Sequence, residues 1–290
     1  MMTKPLGKVL VTGGSGRLGA CIVEALRPLA VPATFDLHES VGADMHFTGS
    51  VMSAETLTAA AEGAEAIVHT AALLTRGNAA STIFAVNTVG TWNALEAAEV
   101  AGCRRFVYIS SECATGLCVQ RDDLPPAFIP IDESYPLQPI DAYGISKQTG
   151  ELICQAFRRR TKMQIVVLRP VLILFDIHYE EMADRQGLRH RDLWGYVEPE
   201  DVAAAVVAAL TRENLSPVYF LSAPDTLCEV PTLELMRQRY GELPPIRRPQ
   251  AFAANPTAAV FDISLARKEL GFAPKSTWRQ HVGHTKGGGQ

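Results

Sequence analysis

KVLVTGGSGRLG (residues 8–19) sets a short aliphatic run directly before glycines Gly13, Gly16 and Gly19, which follow the spacing GxxGxxG. The run has the length and apolar content of a buried strand, and a helical pattern begins after Gly16. A strand that turns sharply into a helix on glycines brings its backbone close to a bound pyrophosphate. The free N–H groups at the helix N-terminus then hold the anion. Glycines at this spacing are a weak signal alone, but the strand before and the helix after them strengthen it. Gly13, Gly16, Arg17 and Leu18 are the candidate dinucleotide contacts.

Outward from this motif the first two-thirds of the chain alternates apolar runs with longer helical patterns. The runs are KVLVTG (8–13), ATFD (33–36), DMHF (44–47), EAIVHTA (65–71), RRFVYISS (104–111) and QIVVLRP (164–170). Helical stretches fall around 17–28, 53–62, 79–101 and 142–160. Near-continuous apolar strands joined by helices predict a parallel sheet covered on both faces. The proline-rich stretch 112–141 reads as a loop over the sheet edge. After Pro170 the rhythm changes: a mixed-charge stretch (175–193) precedes EPEDVAAAVVAAL, a helix with Pro199 in its first turn. Ser264 and Gly271 bracket a later helix as N-cap and C′.

The expected fold is α/β: a Rossmann-type doubly wound parallel sheet with a small C-terminal substrate-binding lobe. Residues 1–170 would form the dinucleotide domain with the catalytic residues, 171–279 an interleaved lobe, and 280–290 a disordered tail.

Asp36 ends the second run, 17 residues past Gly19, where a carboxylate can accept hydrogen bonds from a ribose diol. The same charge repels a 2′-phosphate, which favours NAD over NADP. Arg17 is the feature that could tolerate that phosphate. A plain glycine turn beside a surface Asp is the bland alternative, and the ordered context weighs against it.

Tyr143 and Lys147 lie four apart in DAYGISKQTGELICQAF, so a helix carries both on one face. An ammonium beside a phenol favours the phenolate, lowering a pKa that is ordinarily ~10. Ser111 ends its strand run at the crevice where open α/β sheets bind ligands, and can hydrogen-bond a substrate oxygen. Arg76, Asn78 and Glu112 are the candidate substrate contacts.

In order, TGGSGRLG, Asp36, HTAA (69–72), NTVGT (87–91), ISS (109–111), YGISK (143–147) and LRP (168–170) resemble the extended short-chain dehydrogenase/reductase superfamily, and more narrowly its NAD-dependent epimerase/dehydratase group. The resemblance implies Tyr143 as general acid/base, Lys147 on the ribose and Ser111 orienting the substrate oxygen. It implies Ala71 and Ala72 against the cofactor and Asn87 tying its helix to a neighbouring strand. The chain departs from the pattern at Thr115, where the family often has Tyr, and at Ser50, where an acid commonly contacts adenine. It also lacks the glycine usual after Arg169-Pro170.

Composition narrows the rest. Of 290 residues 47% are apolar and 20% charged, and the net charge of −4 offers no basic field for nucleic acid or an anionic membrane. No stretch reaches the roughly 18–20 apolar residues of a membrane span, and the start does not read as a signal peptide. Six scattered cysteines without a CxxC pair read as free thiols in a reducing, cytoplasmic setting, and no metal site is expected. His69 reads as a buried structural histidine, and Trp194 and Tyr196 as packing residues. The Arg185–Arg191 cluster reads as an exposed charged helix rather than an anion site.

Three functions remain. The first is an NAD-dependent oxidoreductase, transferring a hydride between the nicotinamide and a secondary alcohol or ketone of a small polar substrate such as a sugar or sugar acid. The second is a sugar or nucleotide-sugar epimerase or dehydratase with transient oxidation. The third is a non-catalytic NAD(P)-sensing regulator, which has no physical need for Ser111, Tyr143 and Lys147 together. The short segment between Arg169 and the EPEDVA helix favours the first, since little chain is left to hold a nucleotide. A homodimer through the helices at 79–101 and 142–160 is expected.

Overall fold

A computed structural model describes residues 6–40, 42–75, 77–119, 124–183 and 192–282. Strands β1 (Lys8–Thr12), β2 (Val31–Asp36), β3 (Met45–Thr48), β4 (Ala64–His69), β5 (Arg105–Ile109), β6 (Gln164–Pro170) and β7 (Val218–Leu221) form one sheet in the order β3-β2-β1-β4-β5-β6-β7. Every pairing is parallel. The helices are α1 (Arg17–Leu26), α2 (Ala54–Ala61), α3 (Ala80–Val100), α4 (Ala142–Arg160), α5 (Asp176–Ala183), α6 (Pro199–Thr211), α7 (Thr232–Tyr240), α8 (Pro249–Ala254), α9 (Ser264–Leu270) and α10 (Arg279–Val282). Order reverses between β1 and β4, the crevice where such sheets bind ligands.

The strands are apolar almost throughout because both faces are covered. Val9 and Val11 of β1 enter one core with Val107 and Ile109 of β5 and Val166 and Leu168 of β6, under α1 and α6. Their neighbours Leu10, Phe106, Tyr108, Ile165 and Val167 point into the second core, under α2, α3 and α4. The side-chain period of two thus feeds two cores from the same strands. Pro199 opens α6, as its place in the sequence predicts.

Three expectations change. The VYFL strand β7 was not foreseen, and with α6 it joins the main sheet layers although both follow Pro170. The stretch 112–141 is not a loop laid over an edge: it holds the 3-10 turn Glu112–Thr115 and buries Phe128, Ile129 and Ile131 in the first core. Ser264 is the first residue of α9 and not its cap, Ile263 standing before it, while Gly271 closes the helix in the left-handed conformation as expected. Residues 280–282, expected at the start of a disordered tail, belong to α10, while residues 283–290 and the Arg185–Arg191 cluster lie outside the described residues. Among the described residues no helix is long and apolar enough to cross a membrane.

One polar contact inside this fold ties α4 to the sheet. Arg169 of β6 grips Glu151 of α4 with two hydrogen bonds, Nε to Oε1 at 2.9 Å and Nη2 to Oε2 at 2.6 Å, and Ser110 donates to Oε1 at 2.6 Å. Both charged side chains are almost fully buried. Removing one partner strands the other charge, at a cost of about 3–5 kcal/mol, whereas an apolar pair of similar volume can be neutral. Urea unfolding of Glu151→Ala is expected to show a loss of that size, with most of it recovered in Glu151→Leu/Arg169→Met. Equal losses in the two variants would argue against the pair as the cause.

Candidate functional site

The turn after β1 is built for close approach. Gly13 sits at φ +74°, and a Cβ there would stand 2.6 Å from Thr70 Oγ1 and 2.7 Å from the Ala71 nitrogen. A Cβ on Gly19 would lie 2.1 Å from the Gly13 carbonyl oxygen. Gly16 precedes α1 without offering it a side-chain cap, so the first-turn N–H groups at Arg17 and Leu18 keep the donor capacity of a helix N-terminus. Asp36 Oδ2 accepts from the Ser15 nitrogen at 3.0 Å, fixing the carboxylate across the turn. Burial alone would raise its pKa, but hydrogen bonds from Ser15, His38 and Leu37 outweigh that and hold it below the ordinary value. An ionised acid beside a glycine turn fits the adenosine ribose and pyrophosphate of a dinucleotide, so the residues present suit NAD. Ala71 and Ala72 are half-buried just past β4, on the same rim. Arg17 is exposed and its guanidinium lies 5.6 Å from the Phe175 ring centre, beside a cavity of about 500 Å³ that Asp176, Glu198 and His281 also line.

The second half of the site is carried by β5 and α4. Asp141 caps α4, accepting from the Tyr143 and Gly144 nitrogens at 2.9 and 3.0 Å. One turn on, the buried Lys147 ammonium donates to the Ile109 carbonyl at the end of β5, at 2.8 Å. It stands 5.6 Å from the Tyr143 ring centre. Ser111 follows β5, accepts from the Cys113 nitrogen at 3.1 Å and stands close enough to the Tyr143 phenol to lower its pKa. Ser111, Tyr143 and Lys147 are therefore together. Asn87 Oδ1 accepts from the Leu73 nitrogen at 2.7 Å, and its Nδ2 donates to the Ser146 hydroxyl at 2.9 Å, so it ties α3 both to the segment after β4 and to α4.

The electrostatics differ from the expectation on one point. The Tyr143 phenol is raised, not lowered: burial is the largest cause, Cys113 and Glu112 add to it, and the Ser111 hydroxyl opposes them. The Lys147 ammonium is turned to the Ile109 carbonyl. Burial lowers Lys147 itself to about 8.

The candidate substrate contacts are dispersed. Asn78 is exposed, with its amide donating to the Leu74 carbonyl at 3.0 Å. Glu112 is buried and turned toward Cys113, and Arg76 lies outside the described residues. Sequence reasoning missed Glu151 and Arg169, which hold Ser110, and it missed Asp141 as the cap that sets the Tyr143 turn. An Asp directly before a helical run is a signal that could have found the last. It also read Cys113 and Cys118 as scattered, whereas the structure gathers them beside Glu112.

The family profile described as "NAD dependent epimerase/dehydratase family" matches residues 9–174. An uncharacterised protein of Sinorhizobium fredii is 27% identical over 92% of this chain and 74% of its own length. An L-arabinose 1-dehydrogenase (NAD(P)(+)) of Haloferax volcanii is 29% identical over 76% of this chain and 90% of its own. In fold, the chain is similar to a crystallised short-chain dehydrogenase/reductase superfamily protein of Agrobacterium tumefaciens with bound NAD. The TM-score is 0.69, with 22% identity over 95% of each chain.

His69 sits under this site as a buried neutral ring. Its Nδ1 pairs with the Thr12 hydroxyl at 2.7 Å, and burial, helped by the Lys147 charge, lowers its pKa from 6.5 to about 3. The folded chain thus refuses a proton that the unfolded chain accepts from about pH 6.5 downward. The stabilising contribution is whole above that pH and is lost as pH falls, by roughly 1.4 kcal/mol per pH unit. Between pH 7.5 and 5, urea unfolding should show His69→Asn losing ~2 kcal/mol less stability than the parent chain. Parallel losses would remove His69 as an acid-sensitive group.

Proposed function

Because the chain belongs to the NAD dependent epimerase/dehydratase family, we propose that it is an NAD-dependent oxidoreductase acting on a secondary alcohol or ketone of a small polar substrate, such as a sugar or sugar acid. One observation carries this reading: Tyr143 and Lys147 share one face of α4 while Ser111, from the end of β5, stands beside the phenol. Gly13, Gly16, Arg17 and Leu18 would hold the pyrophosphate of NAD, Asp36 its adenosine ribose, and Lys147 the other ribose, with Ala71 and Ala72 along its length. When bound, NAD supplies the two-electron acceptor for the carbinol hydrogen, and in reduced form its donor.

The chain's own residues manage the proton. The Tyr143 phenol, held neutral by burial, donates to a ketone oxygen in the reductive direction, and its phenolate accepts the hydroxyl proton in the oxidative one. The Ser111 hydroxyl donates to the same substrate oxygen and fixes its position. Since oxidation needs the phenolate, its rate should rise with pH. Asp36 faces the place a 2′-phosphate would take, which supports NAD over NADP.

Net oxidation is favoured over epimerisation or dehydration by the short segment between β6 and α6 and by the relative that is an arabinose dehydrogenase. The family's own description keeps the epimerase or dehydratase as the second reading, with the same three residues. Free thiols support a cytoplasmic setting. Phe84, Val89 and Trp92 of α3 and Leu152 of α4 are exposed, which supports a homodimer through these helices.

The first test supplies NAD or NADP with a panel of sugars, sugar acids and nucleotide sugars, following both absorbance of reduced cofactor and product identity. We expect NADH to accumulate with one substrate class and Tyr143→Phe to cost at least about 100-fold in kcat. Conversion without net NADH would move the assignment to the second reading. Light scattering after gel filtration should give twice the mass of the chain, and Trp92→Glu should halve it. A monomeric parent chain would end the dimer proposal.

A further inference from the structure

The wall of the crevice carries a side-chain cluster that proton transfer does not use. Cys113 lies within the 3-10 turn Glu112–Thr115, and Cys118 follows shortly after the left-handed Gly116 that closes it. This reversal folds the second thiol back on the first. One ligand atom each from Glu112, Cys113 and Cys118 lies within 4.8 Å of the other two. Glu112 is only 3% exposed. Its Oε1 accepts from the Cys113 thiol at 3.3 Å, while its buried Oε2 has no hydrogen-bond partner among the described residues.

A buried carboxyl oxygen without a hydrogen-bond partner is costly, and a cation is one partner that satisfies it. Two sulfurs and one carboxylate are the wrong donors for magnesium or calcium, which take oxygen alone. They suit zinc, whose tetrahedral Zn–S bonds of ~2.3 Å put neighbouring sulfurs about 3.8 Å apart. That spacing falls within the 4.8 Å that bounds the cluster. We propose that Glu112, Cys113 and Cys118 form a binding site for one zinc-like divalent cation, with the fourth coordination position left to water.

Such an ion staples the turn that presents Ser111, since the Ser111 hydroxyl already accepts from the Cys113 nitrogen at 3.1 Å. Ser111 would thereby be positioned by the metal without touching it. The site stands whichever reaction the neighbouring residues perform.

The test uses the full chain, fully reduced, stripped with a chelator and then titrated anaerobically with cobalt(II) or zinc. The expected result is one metal per chain by elemental analysis after gel filtration. Cobalt should also give the intense visible and near-ultraviolet bands of a tetrahedral thiolate site. Cys113→Ser/Cys118→Ser should abolish those bands and weaken binding at least tenfold, while Cys21→Ser leaves both unchanged. In the parent chain, zinc should slow alkylation of Cys113 and Cys118 by iodoacetamide, read by peptide mass spectrometry, a measurement that needs no variant to fold. Absence of metal uptake by the reduced parent chain overturns the proposal. So does an unchanged cobalt spectrum in the double variant, or alkylation of both thiols at the metal-free rate.

Discussion

The hydrogen bond from the Lys147 ammonium to the Ile109 carbonyl is the contact on which the crevice depends. A buried ammonium needs acceptors, and the last carbonyl of β5 supplies one at the point where the strand gives out. This fixes the rotation of α4 about its own axis, and with it the direction of Tyr143 one turn earlier. Asp141 then holds the first turn of α4, and the Glu151–Arg169 pair anchors the helix one turn further on. Three polar ties along one helix place a phenol against a serine that belongs to a different element.

The same burial that fixes the geometry sets the chemistry. It drives the Lys147 ammonium down toward neutrality, keeps the phenol protonated and makes His69 a neutral ring. An ionised Asp36, by contrast, is paid for by backbone donors at the rim of the sheet, where water still reaches it. One crevice therefore holds an anionic end suited to a ribose and a low-dielectric end suited to proton transfer.

Much of this was legible in the sequence because its causes are local. Strands covered on both faces must be apolar throughout, so six of them stand out as runs, and a glycine turn before a helix leaves its own spacing. Tyr143 and Lys147 are visible through helical periodicity alone. What escaped depends on partners distant along the chain. Glu151 in isolation reads as a solvated helical acid, and only the register of β6 against β5 brings Arg169 to it. Cys113 and Cys118 meet because Gly116 adopts a left-handed conformation, which no spacing rule announces. The VYFL run of β7 is four residues long in a segment of changing rhythm, too short for periodicity to identify.

That last strand bears on how the molecule is made. β7 pairs with β6 although 47 residues lie between the two strands, and Glu133 accepts from its Phe220 nitrogen. While the chain emerges from a ribosome, the apolar edge of β6 stays open until Leu221 has cleared the exit tunnel. The central strands can collapse earlier, but with a sticky flank that recruits any extended segment nearby. Synthesis of residues 171–221 is thus a window of vulnerability to misassembly, and the sheet becomes self-sufficient only when its final edge is laid.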